Sequence, residues 1–227
     1  MFKKIAAIIL VLVIIQTGFA QTTKPDFTKI EKDINDKASP LFYATLLKRY
    51  TDNDTTLTRD EYIHLYYGFS MQDNYSPYGK PSVNDALKKA LDADKTDKII
   101  ELEKKALTEY PFNIRDLYVL STTLVKKGDT TEGNIYHKKM IEVVKTILST
   151  GNGAADSTAM YVVSVDHEYD LISLLGYKFG SSQALVQTKD GPADKMALQK
   201  NEDNLDYLYF NVSRLFASME KMFKKKN

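Results

Sequence analysis

The chain has no cysteine and no tryptophan in 227 residues, and only three histidines. Without cysteine there is no disulfide, no thiol nucleophile and no thiolate metal ligand. The histidines are His64, His137 and His167, and no two have the His-x-x-x-His spacing of a helical zinc site. Neither a Gly-x-Ser-x-Gly elbow nor a phosphate-binding glycine loop occurs. No metal and no cofactor are therefore expected. An excess of one charge is also lacking: 31 basic residues face 30 acidic ones. That balance provides no field to gather nucleic acid.

Long apolar runs are missing everywhere but the start. Lys3 and Lys4 precede an unbroken run from Ile5 to Ile15, and Gly18-Phe19-Ala20 ends in small residues. This pattern is an export signal, with cleavage expected after Ala20. The run is too short for a membrane span, and no later segment is apolar enough. Periplasmic or secreted residence is expected. Cleavage leaves 29 basic against 30 acidic residues. The remaining chain, about 200 residues, is long enough to bury a core without disulfides.

What is present is helical spacing from Ser82 to Leu148. Around Pro111, Ala106-Leu107 lies before the proline, and Leu117, Leu120, Ser121 and Leu124 lie after it. Gly128-Asp129 and Gly133 follow. This order matches a tetratricopeptide frame: large residues, one small one, a Gly-Asp turn and a second small one. Run backwards, the frame places Val83, Leu87 and Ala90 on one helix and Ile99 and Ala106 on the next. Two units of about 34 residues result. Glu103 stands where the frame expects an aromatic. An ordinary helical hairpin is the plainer reading.

Upstream, Ser39-Pro40 predicts a helix from the N-cap Ser39 to about Tyr50. Asp52-Asn53-Asp54-Thr55-Thr56 has the acidic look of a calcium loop but lacks its Gly and Glu, at Leu57 and Ile63. Thr58 and Glu61 predict a capping box instead, and Gly68 predicts the end of that helix. Tyr66, Tyr67, Tyr75 and Tyr78 then crowd a segment broken by Gly68, Pro77 and Gly79. Such rings either stack on sugars or fill a core.

Gly151-Asn152-Gly153 is a boundary, after which the period changes. Residues 160–165, 183–189, 194–199 and 205–212 read as strands of an antiparallel meander. A short helix is expected from a cap at Asp166 to Leu175, and a last one from Ser213 to the Lys224-Lys225-Lys226 end. The fold class expected is α+β. Residues 1–20 are the signal, 21–150 a helical array with tetratricopeptide-like pairs, and 151–227 a small antiparallel β-meander with short helices packed on it.

Several stretches carry a family resemblance: Arg49-Tyr50, Asp54-Thr55-Thr56-Leu57-Thr58, Leu65-Tyr66-Tyr67-Gly68, Gly128-Asp129, Asp166-His167-Glu168-Tyr169-Asp170 and Leu208-Tyr209-Phe210-Asn211-Val212. Together they resemble the domain of unknown function 4919 family of exported Bacteroidetes proteins. The resemblance implies export and a shared order of elements, and no chemistry. Three short motifs also resemble the periplasmic O-glycosylation acceptor of that phylum, centred on Thr55, Thr130 and Ser157.

Three functions remain compatible with these residues. A non-enzymatic binding or scaffold protein would hold a peptide or protein partner on the concave face of the helical units, with Tyr118, Thr122, Lys126 and Asn134 as contacts. A carbohydrate-handling module would use Tyr66, Tyr67, Tyr75 and Tyr78 on a glycan. A hydrolase would centre on His167 and Glu168, in the densest ionisable cluster of the chain. That same cluster also reads as a helix start with acids at its positive end.

Overall fold

The computed structural model describes residues 23–225, with side chains as far as Glu220. The expected export signal, residues 1–20, and the side chains of the basic tail lie outside the described residues. Among those described, no helix is long and apolar enough to cross a membrane.

Seven helices come first: α1 (Phe27–Asn35), α2 (Tyr43–Thr51), α3 (Arg59–Phe69), α4 (Asn84–Asp92), α5 (Thr96–Glu109), α6 (Ile114–Lys127) and α7 (Thr130–Leu148). Then come β1 (Met160–Tyr161), α8 (Val165–Leu174), β2 (Phe179–Thr188), β3 (Gly191–Leu198), β4 (Tyr207–Asn211) and α9 (Ser213–Lys225). The α+β reading holds.

Local chemistry explains several helix ends. Thr58 Oγ1 accepts from the Glu61 N–H, and Glu61 Oε2 accepts from the Thr58 N–H at 2.6 Å. Both are N-terminal donors that the helix itself leaves unpaired. Asn113 and Asp129 cap α6 and α7 one way only, their side-chain oxygens accepting from the Asp116 and Glu132 N–H. Gly128, at φ +102°, ends α6 in the left-handed turn that glycine adopts without strain.

Two expected boundaries move. Ser39 caps no α-helix: its Oγ accepts from the Leu41 N–H in a turn, and α2 begins at Tyr43. Gly68 lies inside α3 rather than ending it. Its hydrogen faces Tyr43 and Ile34, and a Cβ there would meet them at 3.1 and 3.3 Å. Close packing of α3 on α1 and α2 outweighs the propensity cost of a helical glycine.

Short turns fold α4 to α7 back on one another as neighbouring helices. Where α6 crosses α7, Ser121 Oγ donates to the Gly133 carbonyl at 2.8 Å. A Cβ on Gly133 would stand 2.7 Å from Val125 and 3.0 Å from the Ser121 carbonyl. Gly133→Val is thus expected to cost about 1–3 kcal/mol by overpacking. Urea unfolding would measure the loss, and an unchanged midpoint would show that the crossing is slack.

The sheet order is β1-β4-β3-β2. β2, β3 and β4 form the expected antiparallel meander, but β1 runs parallel to β4, so the sheet is mixed. The strand expected at 160–165 is only two residues long, because Val165 already opens α8. β2 starts earlier than expected, at Phe179, with a register shift where Ser181 takes φ +70°.

One apolar cluster runs from α1 through α3, α6 and α7 into the sheet, α8 and α9. A smaller one lies between α4 and α5, and Val119 of α6 packs against it. The loop before α3 is fastened to α7. Lys138 Nζ donates to the Thr55 carbonyl, and Lys139 Nζ to Asn53 Oδ1 at 2.5 Å. Burial pushes the Lys139 amine down to about 8, and its charge sits 4.4 Å from the Tyr50 ring centre. Asp54 bonds Arg49 and Thr56.

Candidate functional site

The densest ionisable cluster forms one short helix, α8, wedged between the helices and the sheet. Ser164 precedes it in extended conformation, and Asp166 lies in the first turn instead of capping it. Successive residues on a helix point about 100° apart, so His167, Glu168 and Asp170 leave α8 in different directions. Each meets a different part of the fold.

His167 turns toward the helical core. Its Nδ1 lies 2.8 Å from the Tyr66 hydroxyl, and the Tyr66 oxygen accepts from the Val163 N–H at 3.2 Å. The ring's other nitrogen donates to the Phe112 carbonyl. The two rings also stack at 5.6 Å. Burial pushes the imidazole down to about 4. A neutral ring then accepts from Tyr66 and donates to Phe112, which satisfies both nitrogens. Beside it is a cavity of about 20 Å³, lined also by Tyr75, Gly79, Tyr110 and Asn113. One water fits such a space.

Glu168 turns toward the sheet and is fully buried. Neither of its oxygens meets an N–H or hydroxyl donor. Its neighbour is the Asp194 carboxyl on β3, and two ionised carboxylates in contact would repel. Burial, then the Asp194 charge, push Glu168 up to about 9. Glu168 therefore carries the proton and donates it to Asp194. Asp194 Oδ2 also accepts from Gln183 Nε2 at 2.9 Å, and Gln183 Oε1 accepts from the Tyr169 hydroxyl at 3.1 Å.

Asp170 turns toward α6, where Arg115 Nη2 donates to its Oδ1 at 2.8 Å. Asp116 lies alongside, and Glu103 of α5 lies behind it. Burial pushes Asp116 up to about 7 and Glu103 up to about 9, each helped by a neighbouring acid. One oxygen on each of Glu103, Asp116 and Asp170 is buried without a donor. Glu103, where the sequence frame expects an aromatic, is thus a protonated acid in the α5–α6 seam. The hydrolase reading needs His167 and Glu168 in one pocket, and the structure turns them about 100° apart around α8, one toward the helical core and one toward the sheet.

The other candidates separate by burial. Tyr66, Tyr67 and Tyr75 are core residues. Tyr67 donates to the Tyr161 carbonyl at 3.1 Å and Tyr75 to that of Val163 at 2.5 Å. With Tyr66, three phenols converge on one backbone run, and none presents a free ring to a sugar. Only Tyr78 of the four is exposed, at 60%. Tyr118, Thr122, Lys126 and Asn134 are all exposed, and Lys126 pairs with Asp94 at 2.9 Å.

A family profile described as a domain of unknown function, DUF4919, matches residues 28–221. The chain belongs to the DUF4919 family. No curated protein and no solved structure matches it. In this DUF4919 chain the matched span runs from α1 to α9, so helices and sheet belong to one family unit.

Sequence reasoning missed one feature of the DUF4919 fold. A cleft of about 480 Å³ lies between the start of the described chain, α1 and α3. Ile30, Ile63 and Tyr67 make its apolar wall, and Lys29, Arg59 and Asp60 stand at it. His64, also on the wall, bonds the Asp60 carbonyl at 2.8 Å and Asp33 at 3.2 Å. Its lining comes from three segments far apart in sequence, so no local pattern announces it.

Proposed function

We propose that this DUF4919 protein is an exported binding or scaffold protein of the periplasm or cell envelope. It holds a peptide or protein partner on the outer face of α4 and α6 and works without catalysis. One observation carries this reading: Tyr118 and Val125, about two helical turns apart on α6, are each 44% exposed. Leu91 on α4 is 42% exposed, and the Lys126–Asp94 pair ties the ends of these two helices together. Large apolar side chains gathered on one face mark an interaction surface more often than scattered ones do. Thr122 and Lys126 supply polar contacts beside them. The divergent directions of His167 and Glu168 weaken the hydrolase alternative, and the burial of Tyr66, Tyr67 and Tyr75 weakens the glycan one.

A photo-crosslinking residue at Tyr118, expressed in the native host, is expected to trap a discrete envelope partner. The same residue at Tyr207, exposed on the sheet, is expected to trap none. Adding Thr122→Ala and Lys126→Ala should reduce the Tyr118 adduct several-fold. Equal capture at both positions would overturn the assignment of this face.

A further inference from the structure

β2 is the outer strand of the sheet, and among the described residues no strand pairs with its free side. Its ten residues include no charged side chain and no proline. Sheet edges are normally guarded by just those residues. The only guard here is the irregularity at residues 180–182. Beyond it the ladder is regular, and Leu185 is 55% exposed.

The direction of the free backbone groups follows from the neighbouring strands. The Pro192 carbonyl on β3 accepts from Val212, on the β4 side. Backbone groups alternate sides along a strand, so Ala193 and Lys195 turn toward β2. Their partners there are Val186 and Ala184. Gln183, Leu185 and Gln187 consequently point their N–H and C=O groups outward.

We propose that this edge pairs with the same edge of a second copy, antiparallel, about a two-fold axis at Leu185. The run Gln183-Ala184-Leu185-Val186-Gln187 is then nearly its own complement. Leu185 faces Leu185 of the other chain, Gln183 faces Gln187, and Ala184 faces Val186. Every outward donor meets an outward acceptor, and matched apolar and amide pairs lie across the axis. No charge is set against a like charge. A charged peptide would find no counter-charge on this strand, which favours a second copy as the occupant. The two sheets become one continuous sheet of eight strands. This contact lies on a different surface from α4 and α6.

Sedimentation of the signal-free chain at about 100 µM is expected to show a dimer that dissociates on dilution, as a contact of modest area would. Leu185→Lys sets two ammonium groups on the axis and should weaken the dimer about tenfold or more. Its circular dichroism and thermal midpoint should stay unchanged, because the side chain is exposed. Mixing Leu185→Lys with Leu185→Glu should restore a heterodimer. The absence of native cysteine allows a second readout. Oxidising a mixture of Ala184→Cys and Val186→Cys chains should give a mixed disulfide, and either chain alone should give little. A chain that stays monomeric, even one that captures extended peptides, would overturn the proposal. So would a dimer indifferent to Leu185→Lys, or cysteine variants that link to themselves as readily as to each other.

Discussion

Raising the pH from 6.5 to 8 is expected to lower the unfolding free energy by about 2–4 kcal/mol, since each group protonated only in the folded chain contributes up to about 1.4 kcal/mol per pH unit. Glu103 and Glu168 are two such groups, each raised by burial to about 9. An unfolded glutamate has released its proton above roughly pH 4.3. Between those limits the folded chain binds more protons than the unfolded one, so stability falls as pH rises. Asp116, raised to about 7, adds the same sign at the acidic end of the interval. Two groups act in the opposite direction but outside it. His167, lowered to about 4, favours the folded state as pH rises only up to about 6.5. Lys139, lowered to about 8, does so only above pH 8. Glu168→Gln keeps the shape and removes the proton. It is expected to stabilise the chain at pH 8 and to remove about half of the slope. Urea midpoints at the two pH values check this, and equal midpoints for the wild-type chain would refute the buried, protonated state of both acids.

Tyr66→Phe is expected to cost about 2–6 kcal/mol, since an unsatisfied buried donor or acceptor costs about 1–3 kcal/mol and this change strands two. The lost oxygen is the acceptor for the Val163 N–H, and the lost proton bonds His167 Nδ1. The ring itself remains, packed on Tyr67 and Phe112, so no cavity is added. Tyr67→Phe and Tyr75→Phe each leave one carbonyl without its phenol, at Tyr161 and Val163. Those changes should cost about half as much. Equal losses for all three in urea unfolding would mean that the His167 link contributes nothing.

Features set by neighbouring residues were legible in the sequence. The Thr58–Glu61 box, the Gly128 turn and the small pair Ser121 and Gly133 depend on spacings of three to twelve residues. The features that were not legible depend on partners far along the chain. Core packing is the favoured reading of Tyr66 and Tyr67, but a ligand platform stays open because the backbone they bond, at 161–163, is about a hundred residues away. Gly68 reads as a stop signal until Tyr43 and Ile34 are placed against it. Glu103 looks like a misfit in its frame until Asp116 and the α5–α6 seam enclose it. The parallel pairing of β1 with β4 leaves no periodic trace in two residues. At the cluster, the sequence showed that the ionisable groups gather at 166–170. It could not show that they part company around the helix axis.

The two rims of the sheet are unlike. At β1 the Tyr161 N–H is taken by Thr150 Oγ1 at 2.9 Å and its carbonyl by Tyr67. Side chains plug that rim after two residues, while the rim at β2 stays open for the length of a strand. A chain with a single open rim can acquire one neighbour and then has no place for another. Growth by this route stops at a closed pair, so a long neutral strand that would otherwise invite fibres is harmless here.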